Sequence, residues 1–149
     1  MIQNKTPLTV AFGCDHAGYS LQRILIDFAN LLNCKVIDCG TFDQLSVDYP
    51  DYAKAVSQNV LEDKADFGVL ICGTGIGMSI AANRHKHIRA ALCVTEYEAM
   101  MARRHNDANI LCLGAHVVGD GLAKQCFSAF LTGEFLGGRH LERIKKIEL

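Results

Sequence analysis

The feature that most constrains this chain of 149 residues is an alternation of short, continuously apolar runs with amphipathic stretches of helical period. The apolar runs are Leu8 to Phe12, Lys35 to Cys39, Phe67 to Cys72, Arg89 to Val94 and Ile110 to Leu113. Runs without an exposed face read as strands covered on both sides, as in a parallel sheet with crossover helices. Between the first two, Leu21, Ile24, Leu25, Phe28, Leu31 and Leu32 follow the i, i+3, i+4, i+7 rule of a helix. A second helix opens with Pro50 at its first helical position and turns Ala53, Val56 and Val60 inward. A short third helix is expected over Met78 to Arg84. A fourth runs from Glu96 to His105 behind a capping box of Thr95 and Glu98, and a fifth covers Gly121 to Leu131. After Gly137-Gly138 comes a basic helix, His140 to Glu148. The expected fold is α/β, a three-layer α/β/α Rossmann-like doubly wound domain. Its five-stranded parallel sheet has Phe67 to Cys72 at the centre. No repeat or long linker divides the chain, so residues 1–149 form one domain.

Composition removes several function classes. Half the residues are hydrophobic and 15 Lys+Arg nearly balance 16 Asp+Glu, which excludes a disordered chain. A sequence pI near 6.6 argues against wholesale electrostatic binding to nucleic acid, which needs a strongly basic face. The seven Cys are odd in number and contain no CxxC pair, so neither a disulfide framework nor a zinc site is indicated. Free thiols point to a reducing, cytoplasmic setting. Met1 to Thr6 carries no signal-peptide core, and no apolar run is long enough to span a membrane.

In open parallel sheets, ligands bind beyond the carboxyl ends of the strands. Cys14–Gly18, Cys39–Pro50, Cys72–Met78, Val94–Glu96 and Leu113–Asp120 are therefore the segments that bear chemistry. The strongest signal is Cys72-Gly-Thr-Gly-Ile-Gly-Met-Ser79. Alternating glycines between a buried strand and a helix let backbone N–H groups converge on an anion, either a phosphate or a developing oxyanion. A P-loop would need Lys and Ser/Thr after the last Gly, and here Met78-Ser79 follow. A dinucleotide fingerprint would need Gly where Met78 stands. Cys72 lies where the loop amides and the following helix favour negative charge on sulfur, a reactive thiol by position, with a small core hydrophobe as the alternative. Asp15-His16 and His105-Asn106-Asp107 are polar clusters at element ends, whereas His85 and His87 read as surface residues of a turn. Arg139 and Arg143 share one helical face, spaced either to clamp a phosphate or to form a solvated basic tail.

Six segments in order, Gly13-Cys-Asp-His-Ala-Gly18, Asp48-Tyr-Pro50, Cys72-Gly-Thr-Gly-Ile-Gly77, Ile80-Ala-Ala-Asn83, Arg104-His-Asn-Asp107 and Gly138-Arg-His140, together resemble the ribose/galactose isomerase family. Within that family they are most similar to the ribose-5-phosphate isomerase B type. The resemblance runs from about Val10 to Arg143. It implies an aldose–ketose isomerase that interconverts ribose 5-phosphate and ribulose 5-phosphate through an enediolate, in the non-oxidative pentose phosphate pathway. A hexose-6-phosphate isomerase of the allose or galactose type is the alternative on the same site. Cys72 would be the base, with amides of Gly73, Gly75, Ile76 and Gly77 holding the enediolate oxygen and Thr74 assisting. Asp15 and His105 would open the furanose ring, and Tyr49 and Asn106 would contact sugar hydroxyls. His16, Arg139 and Arg143 would bind the phosphate. No cofactor and no metal are implied.

Some members place a Glu just after the glycine loop as base, with Ser at the position of Cys72; here Met78 stands there. Many carry Arg in the segment after strand five where this chain has Gly114-Ala115-His116, so His116 would replace it as a weaker phosphate ligand. Leu141, Ile144 and Ile147 line one side of the terminal helix and need a partner surface. The family precedent makes that a second subunit, in a homodimer or a tetramer, with His105 and Asn106 from one chain and Cys72 from the other. Outside this class stand a nucleotide-binding Rossmann protein, which NADH would stabilise, and a non-catalytic sugar-phosphate binder, which would not exchange the C2 proton.

Overall fold

The computed structural model describes residues 6–148. Five strands, β1 (Thr9–Cys14), β2 (Lys35–Asp38), β3 (Phe67–Cys72), β4 (Ala90–Leu92) and β5 (Ile110–Gly114), pair in parallel in the order β2-β1-β3-β5-β4. Helices α1 (Tyr19–Leu31), α2 (Tyr49–Leu61), α3 (Ile76–Ala82), α4 (Glu96–Asn106) and α5 (Asp120–Thr132) connect or follow them, and α6 (Arg139–Ile147) closes the chain. β3 is the middle strand, as its unbroken apolar character implies.

Residues alternate across the pleat and so divide the core in two. Val10, Phe12, Val69, Ile71, Leu111 and Leu113 face α1, α4 and α5, where they meet Leu25, Ala99, Phe127 and Phe130. Ala11, Leu70, Cys72, Ile110 and Cys112 face α2 and α3, against Ala53, Val56, Met78 and Ala82. This is the three-layer arrangement expected, with Ala53, Val56 and Val60 buried as their spacing requires. The chain leaves β1 in one direction towards β2 and in the other towards β3, so the topological switch lies between β1 and β3.

Several boundaries differ for local reasons. α3 begins at Ile76, two residues early, because Gly75 takes a left-handed conformation (φ +79°) that turns the chain into the helix at once. Pro50 occupies the second helical position, with Tyr49 ahead of it, where a missing N–H is still harmless. β4 shrinks to three residues, since as an edge strand it pairs only with β5. The capping box of Thr95 and Glu98 forms as its spacing requires. α6 departs from expectation: of its apolar line only Ile144 is buried, and it packs against the chain's own α4 together with His140, leaving Leu141 and Ile147 exposed.

Candidate active site

The carboxyl ends of β1, β3 and β5 assemble one group of polar residues. Asp15, directly after β1, is buried, and its Oδ1 accepts the N–H groups of Ala17 (3.0 Å) and Gly18 (3.1 Å). That turn lies against β3: a side chain on Gly18 would meet the Ile71 carbonyl at 2.4 Å, so the position admits only glycine. Oδ1 therefore holds the turn, and Oδ2 makes no hydrogen bond among the described residues. His16 is exposed, and its Nδ1 accepts the Val47 N–H at 3.3 Å. In the neutral ring this leaves the proton on Nε2, a donor suited to an anionic or hydroxyl oxygen.

Cys72 ends β3, and its buried sulfur accepts the Gly75 N–H at 3.1 Å. The Ile76 N–H goes to the Thr74 hydroxyl (3.3 Å). Two of the amides expected to face a ligand are thus used inside the loop, while those of Gly73, Thr74 and Gly77 make no hydrogen bond among the described residues. The ring of Tyr49, the first residue of α2, lies over Gly77, where an added Cβ would come within 2.5 Å of Cζ and 2.9 Å of the hydroxyl. On the other side the turn after β5 is bonded to the loop, Ala115 N–H to the Cys72 carbonyl and His116 N–H to the Gly73 carbonyl, both at 2.9 Å. The His116 ring flanks Gly73, with Nε2 3.6 Å from where a side chain there would start. Asp15, His16, Tyr49, Cys72, the glycine loop and His116 thus form one continuous rim at the topological switch.

His105, Asn106, Arg139 and Arg143 lie elsewhere. α4 starts just past β4, at the same carboxyl end of the strands as Cys72, and its 11 residues carry the chain roughly 16 Å to the opposite end. There the Asn106 carbonyl accepts from Arg89 Nε (2.9 Å), at the entrance to β4. His105, half-buried on the last turn of α4, stacks on His140 with ring centroids 4.3 Å apart and planes 8° from parallel. Arg139 and Arg143 are exposed on α6 beside them. A groove of about 580 Å³ lined by Arg84, His85, Arg89, Asn106 and Glu148 opens on this edge. Within one chain the predicted residues therefore fall into two groups at opposite ends of the sheet.

The titratable groups differ accordingly. Burial pushes the Cys14 and Cys93 thiols up to about 12 and Cys126 to about 11, and raises Cys34, Cys39 and Cys112 as well. His140 is held below the usual imidazole value by desolvation and by His105, Arg139 and Arg143. Glu148 loses solvation, but hydrogen bonds from Arg89 and the His87 N–H outweigh that and keep its carboxyl below the usual range. Among the described residues no three His, Cys, Asp or Glu side chains gather as metal ligands, and no helix is long and apolar enough to cross a membrane.

Comparison with known proteins decides the affiliation. A sequence model described as Ribose/Galactose Isomerase matches residues 10–147. The chain belongs to the ribose/galactose isomerase family. Among members of this family, the Escherichia coli protein named ribose-5-phosphate isomerase B is 44% identical over 138 residues, covering 93% of each chain. The Clostridium thermocellum ribose-5-phosphate isomerase B structure superposes with a TM-score of 0.94 at 48% identity, covering 95% of both chains. That of Thermotoga maritima gives 0.93 at 48%, covering 95% of this chain and 97% of the other.

Two residues that organise the far group of this family member escape a sequence reading. Arg89 donates Nε and Nη2 to the carbonyls of Asn106 and Asp107 and pairs its Nη1 with Glu148 Oε1 at 2.6 Å. Glu148 Oε2 accepts the His87 N–H (3.1 Å) and lies 3.4 Å from His87 Nδ1, so His87 is exposed yet tied to the terminus. Arg89 and Glu148 stand 59 positions apart, with no local pattern to link them.

Proposed function

We propose that this chain interconverts ribose 5-phosphate and ribulose 5-phosphate, with Cys72 as the base. The observation that carries the reading is the placement of the Cys72 sulfur inside a glycine loop that Tyr49 and His116 flank, in a member of this family. The names of the similar proteins favour the pentose over a hexose phosphate. Asp15 and His105 open the furanose, giving the free aldehyde. The Cys72 thiolate then takes the C2 proton; the electrons of that C–H bond form the C1=C2 double bond, and O1 becomes the enediolate oxygen. The unoccupied N–H groups of Gly73, Thr74 and Gly77 suit that oxygen, since fixed donors cost no reorganisation as charge develops. Returning the proton to C1, while the proton of the O2 hydroxyl passes to O1 and C2=O2 forms, leaves the ketose. Tyr49 and Asn106 contact sugar hydroxyls, and His16, His116, Arg139 and Arg143 hold the phosphate.

The reading requires a homodimer in which each site takes Cys72 from one chain and His105, Asn106 and the two arginines from its partner. Two features support it. Neither group can reach the other within one chain, given the length of α4. Beside the Cys72 loop, Ile76, Ile80, Leu92 and Val94 are exposed, an apolar strip of the sort that a second subunit covers. The test is Cys72→Ala, assayed for isomerisation of ribose, allose and galactose phosphates and for exchange of the C2 hydrogen with solvent. Turnover on ribose 5-phosphate is expected to fall roughly 100-fold or more with a small change in KM. Exchange at the wild-type rate would mean that another residue is the base.

A further inference from the structure

We propose that His140 is a positioning residue for His105, its imidazole serving as the flat platform that fixes the plane in which His105 meets the sugar ring. The inference rests on the reading that His105 takes part in ring opening.

His105 sits on the last turn of α4, where a helix is least restrained, and Asp107 just beyond it turns left-handed (φ +44°). A histidine there has two side-chain torsions to settle. No hydrogen bond to either ring nitrogen of His105 settles them among the described residues; the contact on its ring is the stack with His140 at 4.3 Å and 8°. Such near-parallel contact leaves the ring edge, with both nitrogens, free while restricting rotation about the Cβ–Cγ bond.

The platform itself is fixed. His140 is buried on the second position of α6, and its N–H bonds to the Gly137 carbonyl at 3.1 Å. The Leu136 N–H reaches the Arg104 carbonyl at 3.0 Å, which brings the chain onto α4 immediately before this turn. The far end of α6 is anchored by buried Ile144 and by the pair of Glu148 with Arg89. Charge works in the same direction. Desolvation, then His105 from α4 and Arg139 and Arg143 on its own helix, disfavour a proton on His140, which suits a ring that acts through its flat face.

The experiment compares His140→Phe, which keeps a flat ring, with His140→Leu, which fills similar space without one, alongside His105→Ala. Two activities are measured: turnover from ribose 5-phosphate, which is largely cyclic, and solvent exchange at C1 of ribulose 5-phosphate, which cannot close to a furanose because O5 carries the phosphate. His140→Leu is expected to lower turnover about tenfold, since small misplacements of a reacting group cost up to about 100-fold. KM and the C1 exchange should stay near wild type. His140→Phe should retain turnover to within about threefold, a rescue that a merely space-filling role would not distinguish from Leu. Equal loss in both variants, no loss in His140→Leu, or parallel loss of the C1 exchange would overturn the inference. If His105→Ala turns over like wild type, the reading of His105 fails, and this inference with it. If His105→Ala is impaired and His140→Leu is not, only the platform is refuted.

Discussion

Mixing two inactive proteins tests the division of the site between chains most directly. In Cys72→Ala the proposed base is lost and the His105 group stays intact; His105→Ala has the reverse defect. If each site combines Cys72 of one subunit with His105 of the other, a heterodimer contains one site with both lesions and one with neither. Random exchange of equal amounts makes half the dimers mixed, and one of two sites in each is whole, so about one quarter of wild-type turnover should appear. The assay is isomerisation of ribose 5-phosphate before and after mild denaturant has allowed subunits to exchange, with each mutant exchanged against itself as the control. A site built within one chain predicts no gain, because every chain in the mixture carries a lesion. Activity that stays at the sum of the two parents would refute the argument from the length of α4, as would monomeric elution at micromolar concentration.

Other expectations follow from particular contacts. Arg139→Ala should raise KM for ribose 5-phosphate roughly tenfold or more while hardly altering inhibition by unphosphorylated ribose, because a charged hydrogen bond to phosphate is lost; equal effects on both ligands would contradict the assignment. Gly75→Ala should destabilise the fold by about 1–3 kcal/mol in urea titration from its left-handed backbone alone. The added carbon would also meet Leu113 backbone atoms at 2.9 and 3.0 Å. Glu148 ionises more readily folded than unfolded. Its stabilising contribution is therefore present above the ordinary carboxyl value and is lost as pH falls through the lower folded value. Glu148→Gln should flatten the acid side of a plot of melting temperature against pH. At pH 8, a small alkylating reagent should label Cys72 ahead of its six siblings, whose thiols burial keeps protonated, and ribose 5-phosphate should protect it.

The local signals in the sequence translate well into structure. Continuous apolar runs place β3 at the centre, Thr95 and Glu98 start α4, and the glycines around Cys72 mark the loop that its sulfur joins. What could not be read depends on partners far away in the chain. The slot of β5 between β3 and β4 is a matter of strand pairing, which no single segment encodes. The early start of α3 depends on Gly75 fitting against Leu113 in a strand not yet reached. The apolar side of α6 was legible, but not that His140 and Ile144 would seat it on the same chain's α4. The Arg89–Glu148 pair joins a loop to the penultimate residue, and only folded geometry reveals it.

The strand order has a consequence for how the protein is made. β4 touches the sheet solely through β5, which also lines the free side of β3. As the ribosome delivers residues in order, β3 keeps one backbone edge unpaired and β4 has no strand to pair with until Ile110–Gly114 arrives. Nascent chains stalled or cleaved between residues 93 and 109 leave those edges unpaired, a template for pairing with other chains. The glycine loop also gains its bonds to Ala115 and His116 only after that strand is in place. Catalytic competence is thus among the last properties the growing polypeptide acquires, and fragments that lack the fifth strand cannot hold the Cys72 loop in shape.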